Sequence, residues 1–385
     1  MSKIIFCYTV PETFRFSVKS IELLRSFGHE IILVSSNENN NLNQLTEKLK
    51  VIGESIALTR SFSIFNDLKS LIYFIQIIKK HKPDMVVGAT PKAALISMLA
   101  SFLCSVRHRI YHIFGLPYES SRGLKKIILK NIEFITSILS TEIIPISHSV
   151  YKEYIDNIPF VKGKIAYFYP LTVGGVNIEK FNPNNFTTQK LLLRNKLCVP
   201  ENHIIIGFIG RLSVDKGVYD FIKMINELKK RYDNIMALLI GEIDSRNPID
   251  KDKLEEFLSQ SNTICIEWSS NIELYFSIID IFVLPSYREG FGNVNIEASS
   301  MEIPIISYNV TGCKDSVKNN ISGFLIEKGN INQLISASSI LIENKELRSK
   351  IGKQGRQFVK ETFTEDIVAA NYVSHIIEIL TNTRK

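Results

Sequence analysis

Cysteine is scarce in this chain of 385 residues, and long apolar runs are missing. The five cysteines lie far apart without a CxxC pair, which argues against a disulfide framework or a zinc site and indicates reduced thiols. No run approaches the ~20 apolar residues of a membrane-spanning helix, and the longest candidate, 93–106, is more typical of a buried helix. The first residues, MSKIIFCYTVPETF, also lack the pattern of a signal peptide. We therefore expect a cytoplasmic protein.

Charge is distributed unevenly along the chain. Residues 1–185 contain 22 Lys and Arg against 14 Asp and Glu, whereas the remaining residues contain 24 against 25. The first half therefore carries the positive excess. Such an excess favours an anionic partner, which could be a membrane surface, a nucleic acid or a phosphorylated substrate. An ordinary basic surface is the alternative.

Strand-like and helix-like segments alternate along the sequence. In the first half, strands are predicted at 3–10, 29–36 and 85–90, and helices are predicted at 16–28 and 66–84. Alternation of this length predicts parallel strands with helices on both faces of the sheet.

A segment rich in Gly, Asn and Pro, residues 174–185, interrupts the alternation and indicates a domain linker. The pattern restarts with HIIIGFIG at 203–210. The expected architecture is therefore α/β, with two Rossmann-like doubly wound domains facing a cleft, and with ligands beyond the carboxyl ends of the strands. We place the domains at residues 1–185 and 186–365, followed by a C-terminal helix, 366–385, that packs back on the first domain.

A basic loop follows a predicted strand in GFIGRLSVDKG, residues 207–217. Gly210 lets the backbone turn tightly, and Arg211 and Lys216 project from the loop before the next helix. Free amides and the positive dipole at a helix N-terminus, together with two cations, suit a diphosphate. The loop lacks the GxxxxGK[ST] pattern, so it does not indicate an ATPase. The alternative is a pair of solvated surface cations.

An acidic bend follows a second apolar strand in LPSYREGFGNVNIEASS, residues 284–300. Glu289 leaves the carboxyl end of that strand, and Glu297 lies about one turn into a short helix. One carboxylate can accept two hydrogen bonds from a ribose diol, and the other can contact a transferred sugar or stabilise positive charge at its anomeric carbon. A surface glutamate and a helix-capping glutamate are the alternative. The bend residues expected beside a ligand are Phe291, Gly292, Asn293 and Val294.

The basic loop and the acidic bend together resemble the family 4 glycosyltransferases, which are retaining, metal-independent enzymes of the GT-B fold. Their signature is a glutamate, seven residues and a second glutamate, and Glu289 and Glu297 match it. The resemblance implies that Arg211 and Lys216 bind the donor diphosphate, that Glu297 binds the nucleotide ribose, and that Glu289 acts as a catalytic residue on the donor sugar. Because members of the family are metal-independent, the resemblance implies no metal. It also implies no cofactor, since the nucleoside-diphosphate sugar, expected to be a UDP-sugar, is a substrate.

The first half is similar to the branch of this family that builds bacterial capsule and O-antigen polysaccharides, in TVPETFRFSVKSIELLRSFG and GLPYESSRGLKK. Many members carry a histidine next to the glycine that corresponds to Gly115, where this chain has Phe114. His112 is the nearest histidine and a second catalytic candidate, although it could equally be satisfied within the fold. The first loop lacks the family's glycine pair, and Thr13 and Arg15 are candidate acceptor contacts there.

A basic amphipathic helix is predicted in SSRGLKKIILKNIEFITSIL, residues 120–139. Such a helix can lie on an anionic membrane, which would suit an undecaprenyl-diphosphate-linked acceptor at the inner face of the cell membrane. The alternative is an ordinary helix with its apolar stripe in the core. Its basic residues are Arg122, Lys125, Lys126 and Lys130.

The expected function is retaining transfer of a sugar from a nucleoside-diphosphate sugar to a growing glycan, without a nucleic-acid partner. Two alternatives stay open on the sequence alone. A UDP-sugar 2-epimerase of similar architecture would act without an acceptor, and a non-catalytic sugar-nucleotide or membrane-binding protein would bind without turnover.

Overall fold

Two six-stranded parallel sheets organise the chain. The computed structural model describes residues 1–37, 40–59, 63–172, 174–245 and 247–382. It separates into unit 1, Met1–Gly175 with Glu365–Lys385, and unit 2, Val176–Thr364. The C-terminal helix therefore belongs to unit 1, where it packs on the first helix of the chain.

The division falls earlier than the predicted boundary after residue 185, because the residues that follow Gly175 are bonded within unit 2. The Val176 amide donates to the Phe363 carbonyl at 2.8 Å. The guanidinium of Arg356 donates to the Phe181 carbonyl at 2.8 Å. The glycine- and asparagine-rich segment is thus largely the first part of unit 2.

Unit 1 alternates strands and helices along the chain. Their bounds are β1 Lys3–Cys7, α1 Val18–Ser26, β2 Glu30–Ser35, α2 Asn41–Leu49, β3 Ile52–Ser55, α3 Ile64–His81, β4 Met85–Ala89, α4 Pro91–Leu103, β5 His108–Ile113, α5 Gly123–Leu139, β6 Glu142–Pro145, α6 His148–Asn157 and α15 Glu365–Thr381. The strand order is β3-β2-β1-β4-β5-β6, and every pairing is parallel. The strand order reverses between β1 and β4.

Unit 2 repeats the same plan. Its bounds are α7 Thr187–Lys196, β7 Ile204–Ile209, α8 Val218–Lys229, β8 Ile235–Ile240, α9 Lys251–Leu258, β9 Thr263–Ile266, α10 Ile272–Phe276, β10 Ile281–Leu284, α11 Asn293–Ser300, β11 Ile305–Tyr308, α12 Cys313–Ser316, β12 Gly323–Ile326, α13 Ile331–Glu343 and α14 Lys345–Thr362. The order β12-β11-β10-β7-β8-β9 is again all parallel. The strand order reverses between β7 and β10.

Burial of the central strands agrees with their position inside the two sheets. Residues in β4, β8 and β10 are buried along their whole length, as expected for parallel strands covered by helices on both faces. In unit 1, α3 packs on α4 and α4 packs on α5, whereas α1 packs on α15. Right-handed crossovers place α3, α4 and α5 on one face of the sheet. The prediction of two Rossmann-like doubly wound domains is confirmed. Within the described part of the chain, no helix is both long enough and apolar enough to span a membrane.

Helix α5 is held to the sheet by polar contacts. The carboxylate of Glu133, which is buried, accepts hydrogen bonds from Tyr111 at 2.5 Å and from Tyr154 at 3.2 Å. The Tyr154 hydroxyl also lies 2.5 Å from the hydroxyl of Ser137. Burial raises the pKa of the Glu133 carboxyl to about 7, although both tyrosine hydrogen bonds oppose this rise.

Stability should therefore depend on the protonation of Glu133. Its folded pKa of about 7 lies above the value of ~4.3 for an unfolded chain, so the folded state binds more protons between these values. Stability conferred by this group accordingly falls as the pH rises through that window. Relative to a Glu133→Gln variant, we expect the wild-type free energy of unfolding to increase as the pH is lowered from about 7 to about 4.5. Urea denaturation at several pH values measures this difference, and parallel pH profiles for the two proteins would contradict it.

Candidate active site

The basic loop and the acidic bend lie side by side in unit 2. Strand β7 leads into the first and β10 into the second, and these strands are hydrogen-bonded neighbours, with Ile281 opposite Ile206 and Phe282 opposite Gly207. Both loops leave the carboxyl ends of their strands at the point where the strand order reverses. This is the position at which doubly wound sheets bind ligands.

Glycine shapes the basic loop at both ends, and at one of them it permits a close approach to the acidic bend. Gly210 has a φ of 155° at the end of β7, and Gly217 has a φ of 76° at the start of α8, both in the region that favours glycine. A Cβ atom at position 217 would overlap the carbonyl oxygen of Pro285. The N-terminus of α8 is therefore packed directly against the beginning of the acidic bend.

Lys216 and Glu289 form an ion pair across the two loops. Only 16% of the lysine side chain and 13% of the glutamate side chain are exposed. The cation predicted to bind a diphosphate and the carboxylate predicted to contact a sugar are thus in direct contact. In this state each neutralises the other in a largely desolvated position.

Arg211 is paired with Asp244, a buried carboxylate that follows β8. The backbone joins the same two segments, since the Asp244 amide donates to the Leu212 carbonyl at 3.2 Å. Sequence reasoning missed Asp244. The available signal was its position in GEID, directly after an apolar strand that neighbours β7.

Asp215 supplies a negative charge inside the basic loop itself. Burial alone would raise the pKa of its carboxyl, but hydrogen bonds from Ser213 at 2.7 Å and Asn247 at 3.1 Å lower it, as do the charges of Arg211 and Lys216. The net effect is a pKa below the usual value. The carboxylate therefore stays ionised and holds the loop together.

The acidic bend presents backbone more than side chains. Phe291 is buried with its ring 5.0 Å from that of Phe363, so only its backbone can reach a ligand. Gly292 has a φ of 80° and precedes α11, whose first residues are Asn293 and Val294. The first amides of a helix have no acceptor within it and are available to an anion or a sugar oxygen.

Two polar positions follow in α11. The Asn293 side-chain oxygen is buried without a hydrogen-bond partner among the described residues. Glu297 lies about one turn into the helix and is half-buried. The assignment of Glu297 to a nucleotide ribose stays a prediction.

A carboxylate in α8 braces the acidic bend. One oxygen of Asp220, Oδ2, accepts hydrogen bonds from the Tyr287 hydroxyl at 2.6 Å and from the Tyr308 hydroxyl at 2.7 Å. The Tyr287 amide also donates to the Asp215 carbonyl at 2.9 Å. Tyr287 stands two residues before Glu289, so this cluster fixes the backbone from which that glutamate projects. No spacing in the sequence indicated that these three residues would meet.

In unit 1, His112 ends up buried near the end of β5. Its ring stacks on Tyr372 with centroids 5.4 Å apart, and its edge meets Phe114 at 4.8 Å. Burial lowers its pKa to about 3, so the ring is neutral at physiological pH and cannot supply a positive charge. Nδ1 has no hydrogen-bond partner among the described residues, so the histidine is not fully satisfied within the fold. Its contact with a donor sugar stays a prediction.

Thr13 and Arg15 lie in a 3₁₀ helix, Pro11–Phe16, beyond the carboxyl end of β1. Phe14 anchors this segment by stacking on Tyr8 with centroids 4.4 Å apart. Thr13 is half-buried, and the exposed Arg15 guanidinium lies 4.5 Å from the centre of the Phe16 ring. Both are at the edge of the sheet where ligands bind, and their contact with an acceptor stays a prediction.

Within the described part of the chain, no cluster of three or more His, Cys, Asp or Glu is arranged to hold a metal ion. The sequence does contain an Asp-x-Asp triplet at 250–252. Asp250 there caps α9, accepting hydrogen bonds from the amides of Asp252 and Lys253 at 3.1 and 3.4 Å. That triplet is accounted for by a helix start.

Comparison with known proteins identifies the family. Residues 189–358 match the family "Glycosyl transferases group 1", and residues 3–142 match "Glycosyl transferase 4-like". The capsular polysaccharide biosynthesis glycosyltransferase CapM of Staphylococcus aureus is 33% identical over 366 residues, covering 95% of this chain and 94% of CapM.

A second relative and a solved structure agree with this. The UDP-Gal:alpha-D-GlcNAc-diphosphoundecaprenol alpha-1,3-galactosyltransferase of Escherichia coli is 27% identical, over 86% of this chain and 85% of that enzyme. A glycosyltransferase structure from Rickettsia africae has the same fold, with a TM-score of 0.81, 22% identity and 99% coverage of both chains. The chain therefore belongs to the family 4 glycosyltransferases and is a sugar-transferring enzyme of the GT-B fold.

Proposed function

We propose that this glycosyltransferase moves a sugar from a UDP-sugar to an undecaprenyl-diphosphate-linked glycan, with retention of configuration at the anomeric carbon. The observation that carries the proposal is the contact between the basic loop and the acidic bend, which brings Lys216 and Glu289 together at the ligand-binding edge of unit 2. The E. coli relative is named for a UDP-linked galactose donor and a diphosphoundecaprenol-linked acceptor, which supports both substrates.

In this proposal the donor diphosphate takes the place of Glu289 as the partner of Lys216. Arg211 and the first amides of α11 add further positive potential, so the leaving diphosphate needs neither a metal nor a cofactor. Glu289, released from the lysine, contacts the hydroxyls of the donor sugar, and Glu297 holds the ribose.

The chemical step exchanges one bond at the anomeric carbon. The bond from that carbon to the diphosphate oxygen breaks, and a bond to the acceptor hydroxyl forms on the same face. The leaving phosphate oxygen takes the acceptor proton. Lys216 and Arg211 stabilise the negative charge that develops on the leaving diphosphate.

We also propose peripheral attachment to the cytoplasmic face of the cell membrane through α5. Its apolar stripe is not in the core, since Leu124 is 72% exposed and Ile127 and Ile128 are also exposed. Lys125 and Lys126 are exposed beside them. This arrangement of apolar and basic side chains fits an anionic lipid surface.

The function can be tested with defined substrates. The protein is incubated with individual UDP-sugars, with and without an undecaprenyl-diphosphate-linked saccharide, and products are separated by mass spectrometry and linkage analysis. We expect transfer to the lipid-linked saccharide that preserves the anomeric configuration of the donor. Conversion of the UDP-sugar without an acceptor would indicate an epimerase instead, and binding without turnover would overturn the proposal.

Removing either member of the ion pair should abolish this transfer. We expect Lys216→Ala and Glu289→Ala each to lower kcat/KM by at least about 100-fold, because each loses a contact to the reacting donor. Each single variant also strands a partly buried charge and should lose stability. The double variant should recover part of that stability but none of the activity. Recovery of both together would show that the pair has only a structural role. Lys230→Ala, in an exposed ion pair with Glu227, is the control.

The brace on the acidic bend offers a matched pair of variants. Tyr287→Phe and Tyr308→Phe each remove one hydrogen bond to the same oxygen of Asp220, so each should cost about 1 kcal/mol of stability. Only Tyr287 lies in the bend that carries Glu289. We therefore expect kcat to fall more for Tyr287→Phe, with denaturation midpoints shifted equally. Equal kcat values for the two variants would refute a positioning role for Tyr287.

A further inference from the structure

Helix α5 turns its polar side toward the inside of unit 1 and its apolar side outward. Its inward face carries the polar residues Glu133, Thr136 and Ser137, all buried. Its outward face is apolar, and a soluble helix normally shows the opposite arrangement. The exposed apolar residues of α5 are Leu124, Ile127, Ile128, Phe134, Ile135 and Ile138.

Helix α3 carries a second exposed apolar band. Phe65 is 88% exposed, and Leu68, Ile72 and Tyr73 follow it on the outward side of the first half of the helix. They stand at positions i, i+3, i+7 and i+8, the pattern of a broad apolar stripe along one side of a helix. The second half of the same outward side changes to Gln76, Lys79 and Lys80, which are also exposed.

The two bands belong to one layer of unit 1. Helix α4 lies between α3 and α5, is mostly buried, and adds exposed Phe102 and Leu103 at its end. Of the 24 large apolar side chains that are exposed in the described residues, 12 lie on these three helices. A concentration of this kind on one side of a domain marks an interaction surface.

Charge identifies the occupant of this surface. The exposed cations of the three helices, with the N-cap of α5, include Lys69, Lys79, Arg122, Lys125 and Lys126. Lys80 is also exposed but is paired with Glu54 of β3 at 2.6 Å. No carboxylate of these helices is exposed, because Glu133 is buried and the half-buried Asp67 is bonded to Lys92 at 2.6 Å. A contact between two copies through this face would oppose cation to cation. An anionic bilayer matches both the apolar bands and the cations.

The bands are also placed where a lipid-linked substrate must arrive. Helices α3 and α5 follow the carboxyl ends of β3 and β5, so their first turns lie at the ligand-binding edge of the sheet. The apolar half of α3 and the start of α5 are therefore at the same edge as the 3₁₀ helix with Thr13 and Arg15.

The geometry points to α3 as a second lipid-contacting helix, whose residues Phe65, Leu68, Ile72 and Tyr73 enter the surface of an anionic bilayer alongside α5. This inference rests on the proposed membrane attachment and extends it from one helix to a face formed by two. Tyr73 is suited to the headgroup level, because its ring is apolar, its hydroxyl is polar, and Lys69 lies 5.8 Å from the ring centre.

Tryptophan fluorescence can test this directly, because Trp268 is the single tryptophan of the chain and lies exposed in unit 2. In a Trp268→Phe background, Phe65→Trp places a reporter on α3 and Ile128→Trp places one on α5. Leu191→Trp, at an exposed leucine of α7 in unit 2, is the control. Each protein is titrated with vesicles of equal parts phosphatidylglycerol and phosphatidylcholine. We expect vesicles to shift the tryptophan emission maximum to shorter wavelength for the reporters at positions 65 and 128, and to leave it unchanged for the reporter at position 191.

The possible outcomes separate the inference from the proposed function. A shift at 128 without one at 65 would overturn the role of α3 and leave attachment through α5 standing. No shift at either position would overturn both membrane roles, while sugar transfer would still be measured independently in detergent. A shift at 65 that grows with protein concentration in the absence of vesicles would assign the face to a second copy of the chain instead.

Substitution by charge provides a second measurement. A double Phe65→Glu and Ile72→Glu variant should lose about tenfold in vesicle affinity, because it removes two apolar side chains and adds two negative charges. Leu191→Glu with Leu192→Glu, which changes two exposed leucines of α7, should bind vesicles like the wild type. Equal losses for the two double variants would contradict a specific role for α3.

Discussion

The contact between Lys216 and Glu289 joins two loops that are 73 residues apart in the chain. It forms because β7 and β10 are neighbours at the reversal of strand order, and because Gly217 allows α8 to approach the Pro285 carbonyl. In the proposed function this pair couples donor binding to activation of the site. A diphosphate that competes for Lys216 simultaneously frees Glu289 for the sugar, so the carboxylate is released only when a donor is present.

The neighbourhood of that pair is built from carboxylates that hold cations and hydroxyls in place. Asp244 is bonded to Arg211, Asp215 lies 3.6 Å from Arg288, and Asp220 accepts from two tyrosines. In the proposed function, an incoming diphosphate replaces these carboxylates as the partner of the cations, so no free charge has to be desolvated. The carboxylates hold these side chains in position before the substrate arrives, which reduces the loss of conformational entropy on binding.

The alternation of apolar strands and helices was sufficient to predict the fold class and to place the basic loop and the acidic bend at the carboxyl ends of strands in one domain. It was insufficient for Asp244 and for the contact of Asp220 with Tyr308. These contacts depend on which strands are neighbours and on how closely helices pack, and neither is encoded in residue spacing. The domain boundary was placed too late for a similar reason, since a segment of linker-like composition is tied to unit 2 by Arg356.

Helix α5 shows a related limit of sequence patterns. Periodicity establishes that the helix has an apolar side, but it does not say whether that side faces the core or the surroundings. Here the polar side faces inward, and the hydrogen bonds that Glu133 accepts from Tyr111 and Tyr154 offset the cost of burying its carboxyl group. The outward apolar side then remains uncompensated in water and is stabilised only by a partner that replaces water. The same polar contacts that anchor the helix therefore create the surface through which unit 1 is proposed to meet lipid.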